Sequence, residues 1–271
     1  MDRPAVSGAS FEIPKGEIFG FLGPNGAGKS TVQNLLIGLL PLQVGEILYD
    51  GVSIRKVGRK FFNRIGVSFE QQNLYAKLTG YENLSHYANL FSVPTADPTR
   101  LLSQVGLAEA GGKRAGTYSK GMRQRLVFAR ALVNQPDILF LDEPMSGLDP
   151  NSSGNIKEMI LEQRRKGTTI FLTTHNMYVA EELCDHVGFI NEGKVVALDT
   201  PKNLKLRHGE KSVKVEYMED GGEKADIFFF SKPEDQIRLQ QLVAGEQIIT
   251  MHSQEASLEM IFQKLTGRGL E

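Results

Sequence analysis

Residues 17–40 place the tightest constraint on this chain. An apolar run at residues 17–22 (EIFGFL) reads as a buried strand. It ends at a glycine-rich turn, and helical character follows over residues 30–40, where Pro41 is expected to stop it. The turn, residues 23–31, reads GPNGAGKST and fits G-x-x-x-x-G-K-[ST]. Strand, loop and helix in that order form the setting in which this pattern holds phosphate. Glycines let the backbone curl so that successive N–H groups point inward, and the next helix presents its positive end to an anion. The expected phosphate ligands are therefore Gly23, Pro24, Asn25, Gly26, Ala27, Gly28, Lys29, Ser30 and Thr31. Lys29 is expected to reach the β- and γ-phosphates, and the Ser30 hydroxyl to ligate Mg²⁺.

The rest of the chain extends this unit into an α/β fold. Residues 45–51 (GEILYDG) read as an edge-type strand closed by the turn pair Asp50-Gly51, and residues 65–69 as another strand. Residues 79–133 are mostly helical, broken near 93–98 and 111–117. Residues 137–141 (DILFL) form the continuous apolar run of a strand buried on both faces. A helix at 151–166, a strand at 168–173 and a helix at 177–184 follow. This alternation predicts a core of parallel strands, with a helical insertion over about 72–133. After Gly209 the texture changes. Strands at 212–217 and 226–230, a helix at 232–242, a strand at 246–251 and an amphipathic helix at 255–266 predict a small appended α/β domain. The expected division is thus 1–209 and 210–271.

Four further segments carry chemistry. Residues 138–144 (ILFLDEP) deliver Asp142 and Glu143 at the carboxyl end of a strand, where ligands of such sheets bind. Residues 145–150 (MSGLDP) turn into a helix. Residues 118–125 (YSKGMRQR) place Ser119 at a helix start, which is both an ordinary N-cap and an anion site. His175 follows a strand in TTHN. With the phosphate loop, these five segments resemble, in kind and order, the ATPase subunits of ABC transporters over about residues 5–205.

By that resemblance the fold is a P-loop NTPase core with a flanking antiparallel β subdomain and an inserted helical subdomain. Asp142 would hold the Mg²⁺ shell, Glu143 would act as general base, and His175 would contact the γ-phosphate and the attacking water. Ser119 and Gly121 would touch the γ-phosphate of nucleotide held by another subunit, and Asp149 would face that subunit. Lys120 and Met122 stand where a glycine and a glutamine are commonest in the family. Counting forward from Ile65-Gly66, or back from Leu74-Tyr75, puts Glu70 where the family has a Mg²⁺-sensing glutamine, with Gln71 and Gln72 just beyond. A carboxylate is a hard charged donor suited to Mg²⁺. The chain enters at about AVSGASFEI, past the first strand and the adenine-stacking aromatic residue of the family. Phe11 lies too close to the loop to take that place, so either the natural start lies upstream of Met1 or adenine is held elsewhere.

The resemblance implies ATP and Mg²⁺ as cofactors. Its partners are a membrane permease and a second ATPase, giving a homodimer or a heterodimer with a paralogue at the cytoplasmic face of a membrane. The signature segment and the ending at 255–267 are most similar to exporters of drugs, polysaccharides, sodium or bacteriocins. A soluble relative acting on ribosomes or DNA is the rival reading. The chain has one phosphate loop where translation factors carry two, and the space between 72 and 118 is too short for a long coiled coil. A degenerate regulatory module is the third reading, opposed by the presence of Lys29, Asp142, Glu143 and His175.

Composition agrees. The 271 residues carry 31 basic and 32 acidic side chains, so net charge gives no ground for expecting nucleic acid. The single cysteine, Cys184, fits a reducing compartment. The longest apolar run, residues 35–42, is far below the roughly 18–20 needed to span a bilayer, and MDRPAVSGAS has no apolar signal core. The histidines away from the motifs, His86, His186, His208 and His252, read as surface or packing residues.

Overall fold

The apolar run after residue 17 forms β1 (Ile18–Leu22), buried at every position. The computed structural model, which describes residues 4–219 and 221–267, sets this strand inside a parallel sheet. In chain order the first unit continues with α1 (Lys29–Leu36), a hairpin of β2 (Leu48–Tyr49) and β3 (Val52–Ser53), and β4 (Ile65–Ser68). The inserted helices are α2 (Gly80–Ala88), α3 (Pro98–Gln104) and α4 (Lys120–Ala131). Then come β5 (Ile138–Asp142), α5 (Pro150–Arg165), β6 (Thr169–Thr174), α6 (Met177–Leu183), β7 (His186–Asn191) and β8 (Lys194–Asp199). The sheet order is β4-β5-β6-β1-β7-β8. β1, β4, β5, β6 and β7 run parallel, which brings the carboxyl ends of β1, β5 and β6 to one edge.

In the first unit two expected bounds change. The first helix ends at Leu36, not residue 40. The chain turns at Gly38 (φ 75°), and Leu39 and Leu40 donate back to the Asn34 carbonyl, so the helix is closed before Pro41 is reached. The strand expected over 45–51 shrinks to Leu48–Tyr49, because only these two residues find ladder partners, Ser53 and Val52. The turn pair behaves as expected, with Asp50 and Gly51 both at positive φ. Tyr49 ties this hairpin to α1 by donating to the Leu36 carbonyl (2.6 Å) and packing on Phe61.

Phe19, Phe21, Phe140 and Phe171 form the core beneath the sheet, each burial contributing about 1.5–3 kcal/mol. Phe11 joins this stack, its ring 5.0 Å from that of Phe19. It is a packing residue of this core. α2 opens on a capping box: the Thr79 hydroxyl accepts from the Glu82 amide, and Glu82 accepts from the Thr79 amide. Cys184 is buried, and burial pushes its thiol far above the usual range.

The chain divides between Leu198 and Asp199. The second unit holds α7 (Pro201–His208), β9 (Ser212–Glu219), β10 (Gly222–Phe229), α8 (Pro233–Ala244), β11 (Ile248–Gln254) and α9 (Leu258–Thr266). Its sheet order is β10-β9-β11, with Leu242 of α8 packed on Val213, Val215, Tyr217 and Phe228. α7 packs against α9 and goes with this unit, whereas the sequence division at 209/210 falls after it. β7, β8 and α7 fill residues 186–208, for which the sequence reading named no element. Among the described residues no helix is long and apolar enough to cross a membrane.

Candidate functional site

The loop between β1 and α1 supplies the first half of the site. Gly28 caps α1 with φ 108°, a conformation that L side chains rarely adopt, and a Cβ there would lie 2.9 Å from the Ala5 carbonyl. No side chain caps α1 and no acid sits in its first turn, so its N-terminal N–H groups are left for an anion. Asn25 and Gly26 are exposed at the loop tip, Gly23 and Ala27 are buried beneath it, and Pro24 and Thr31 are half-buried. Lys29 is buried. Its ammonium donates to the carbonyls of Gly23 (2.8 Å) and Pro24 (3.2 Å) and lies 3.3 Å from Glu143 Oε1.

Parallel pairing of β5 and β6 supplies the second half by setting Asp142 level with Thr173. The Thr173 hydroxyl donates to Asp142 Oδ1 and accepts from the Glu143 amide (3.1 Å), so one side chain fixes both acids. Asp142 Oδ1 also accepts from the Ser30 hydroxyl (3.3 Å). Glu143 takes a positive φ of 45°, a conformation that costs a non-glycine residue about 1–3 kcal/mol and is held here by its neighbours. His175, just past β6, brings Nδ1 to 3.0 Å from Glu143 Oε1. Distance and alignment disagree at this contact. Neither atom makes a well-angled hydrogen bond, so Oε1 keeps acceptor capacity for a water between lysine and imidazole.

Ser119, Gly121 and Asp149 form a second group. The Ser119 hydroxyl caps α4 by accepting from the Met122 amide (3.2 Å), and Ser119 is exposed. Gly121 is pressed against the start of α5, where a Cβ would meet Ser152 Oγ at 2.6 Å. Asp149 caps α5 through the Ser152 amide (3.0 Å). Hydrogen bonds from the Ser152 side chain and backbone hold its carboxyl below the usual range. This depressed acid adds helix stability above the ordinary carboxylate pKa, and the contribution is lost as pH falls through the lowered value.

Glu70 is exposed on the loop after β4. Because Ser68 is level with Leu141, the chain leaves β4 beside Asp142. Gln72 is engaged elsewhere, donating to the Lys120 carbonyl and Gln124 Oε1 and accepting from Arg123. The sequence reading missed Thr173. Its signal was a hydroxyl directly after the apolar run 170–172, fully buried where only a partner justifies it. Thr173→Val keeps the shape and removes both bonds. It is expected to lower ATP turnover about 10–100-fold with little change in nucleotide affinity, as orienting partners do elsewhere. Steady-state phosphate release and equilibrium binding check this.

A cavity of about 1500 Å³ among the described residues lies away from this chemistry. Phe11, Val32, Tyr49, Phe140 and Phe171 help line it, and none of Lys29, Asp142, Glu143 or His175 does.

The family model described as ABC transporter matches residues 6–146. The chain belongs to the ABC transporter family. A fluoroquinolones export ATP-binding protein of Mycobacterium tuberculosis is 49% identical over 270 residues, covering 99% of this chain and 89% of that protein. The Bacillus subtilis linearmycin resistance ATP-binding protein LnrL is 36% identical, covering 78% and 69%. Among solved structures, an ATP-binding subunit of an ABC transporter superposes with TM-score 0.68 at 29% identity, covering 76% of this chain and 87% of that one. A dimeric ATP-binding cassette in a post-hydrolysis state with ADP and Pi gives 0.66 at 25% identity, covering 72% and 90%. This ABC chain is thus an ATP-binding subunit with ATPase function that works with a membrane permease.

Proposed function

We propose that this ABC subunit powers export through a separate permease, with two cassettes closing on ATP at the cytoplasmic face of the membrane. The observation that carries this reading is the convergence of Lys29 and His175 on Glu143 Oε1, beside the uncapped start of α1. Lys29, the loop N–H groups and the start of α1 bind the phosphates. Glu143 accepts a proton from water as the water oxygen bonds to the γ-phosphorus and the bond to the ADP oxygen breaks. His175 orients that water. Ser119, Gly121 and Asp149 serve the site of the opposite cassette, either an identical copy or a paralogue. The name of the Mycobacterium tuberculosis relative, an export ATP-binding protein, supports the export direction. The first compact unit, to Leu198, is assigned to the ATPase domain and the second, from Asp199, to an accessory domain. Recovery of the chain with a polytopic membrane protein after detergent solubilisation and affinity capture tests the reading; recovery with ribosomes or DNA instead would sink it.

The residues fit Mg²⁺. A serine hydroxyl and a carboxylate oxygen 3.3 Å apart are the hard donors this ion takes. Among the described residues no three acidic or histidine side chains cluster to cage a metal. Mg²⁺ is commonly bound by one or two carboxylates together with phosphates and water, and it would neutralise developing phosphate charge. Ser30 and Asp142 would hold it, with Glu70 the third ligand from this chain. Without the ion, the Glu70 carboxylate adds negative charge near the phosphates. Glu70→Ala should therefore strengthen metal-free ATP binding and weaken its dependence on Mg²⁺, as read by nucleotide titration with and without the ion. If Gln72→Ala alone loses metal dependence, the assignment passes to Gln72.

A further inference from the structure

The accessory sheet β10-β9-β11 has two outer strands, and they differ. β11 loses register with β9 between Ile248 and Thr250, the kind of bulge that blunts an edge. β10 pairs with β9 residue for residue from Gly222↔Glu219 to Phe229↔Ser212 without a shift. Gly222 to Ile227 are all exposed. We propose that the outer edge of β10 pairs antiparallel with the same edge of a second copy, about a two-fold axis at Ala225, joining two accessory sheets into one.

The backbone fixes which groups are available. The ladder alternates, so Gly222, Lys224, Asp226 and Phe228 turn their N–H and C=O toward β9. The Phe230 amide keeps this phase by donating to the Lys211 carbonyl. Glu223, Ala225 and Ile227 consequently direct their backbone groups outward. The next residue in phase, Phe229, has its amide taken by Asp235 Oδ2 (2.8 Å), which bounds the open edge.

Charge selects the register. With Ala225 on the axis, Ala225 faces its own copy and Glu223 faces Ile227, giving three hydrogen-bonded pairs and about six backbone bonds. Lys224 then lies opposite Asp226 of the other copy, twice, in the non-hydrogen-bonded pairs where side chains come closest. Moving the axis to residue 224 sets lysine against lysine, and moving it to 226 sets aspartate against aspartate. The existing contacts of Lys224 with Glu219 and of Asp226 with the Tyr217 hydroxyl remain in place. An ammonium has three donors, and a carboxylate accepts more than one bond. The same charges repel an arbitrary strand, so the edge is guarded against general aggregation and open to its own copy.

Sedimentation velocity of the full chain without nucleotide, up to about 100 µM, separates this contact from ATP-driven closure. A reversible dimer is expected. Lys224→Asp and Asp226→Lys should each weaken it at least about tenfold by placing like charges opposite each other, and the double swap should restore it. Ala225→Pro should abolish it, because the N–H removed points away from β9 and the internal ladder is spared. If circular dichroism shows that the proline variant misfolds, the charge swaps decide. A monomeric wild-type chain, a dimer indifferent to the single swaps, or a double swap that fails to restore dimerisation overturns the proposal.

Discussion

Glu143→Gln should bind ATP with near wild-type affinity and turn it over about 10²–10⁴-fold more slowly, the usual cost of losing a general base. Glutamine matches the shape of glutamate and can keep the backbone bonds from the Glu143 amide to Thr173, so the carboxyl end of β5 is undisturbed. What disappears is the acceptor between Lys29 and His175 that takes the water proton. Nucleotide bound but not cleaved should hold two cassettes together. Size exclusion with ATP and Mg²⁺ should then show a dimer that the wild type forms only transiently. Turnover within a few-fold of wild type would remove Glu143 from this role.

Lys29→Met should act twice. Its ammonium supplies charge-assisted bonds to phosphate, worth about 1.5–3 kcal/mol each, so ATP affinity should fall roughly tenfold to more than a hundredfold. In the nucleotide-free protein the same ammonium is the buried cation beside Glu143, with side chains only 6% and 7% exposed. Removing one member of such a pair costs about 3–5 kcal/mol, because the other charge is left without compensation. The single variant should therefore lose stability by urea denaturation. Lys29→Met combined with Glu143→Gln should recover most of it while remaining inactive. A double variant no more stable than the single would show that the 3.3 Å contact carries no such energy.

Most of the site was legible because its parts are local. The strand, the glycine turn and Lys29 are adjacent in sequence, and so are Asp142 and Glu143 at the end of an apolar run. What escaped depends on distant pairing. Thr173 matters because the β5–β6 register sets it opposite Asp142, and nothing near it in sequence announces that. β7 and β8 were missed because their turn uses Glu192 (φ 48°) before Gly193, where the readable signal is asparagine or aspartate. β8 also alternates exposed and half-buried residues at the end of the sheet, a pattern weaker than that of the buried strands. The strand expected over 45–51 was overestimated because β-forming residues become strand only where a ladder partner exists. In the accessory unit hydrophobic patterning sufficed for element types, while the place of α7 follows from its packing on α9.

The chain's one thiol, on Cys184, is buried and held protonated far above neutral pH. Maleimide dyes require an accessible thiolate, so the native chain should be silent to them. A cysteine introduced at exposed Lys77, in the helical insertion, would then carry label at a single place without any prior removal of the natural residue. Energy transfer between two such copies could follow the insertion of one cassette approaching the other during a catalytic cycle, in an otherwise wild-type background.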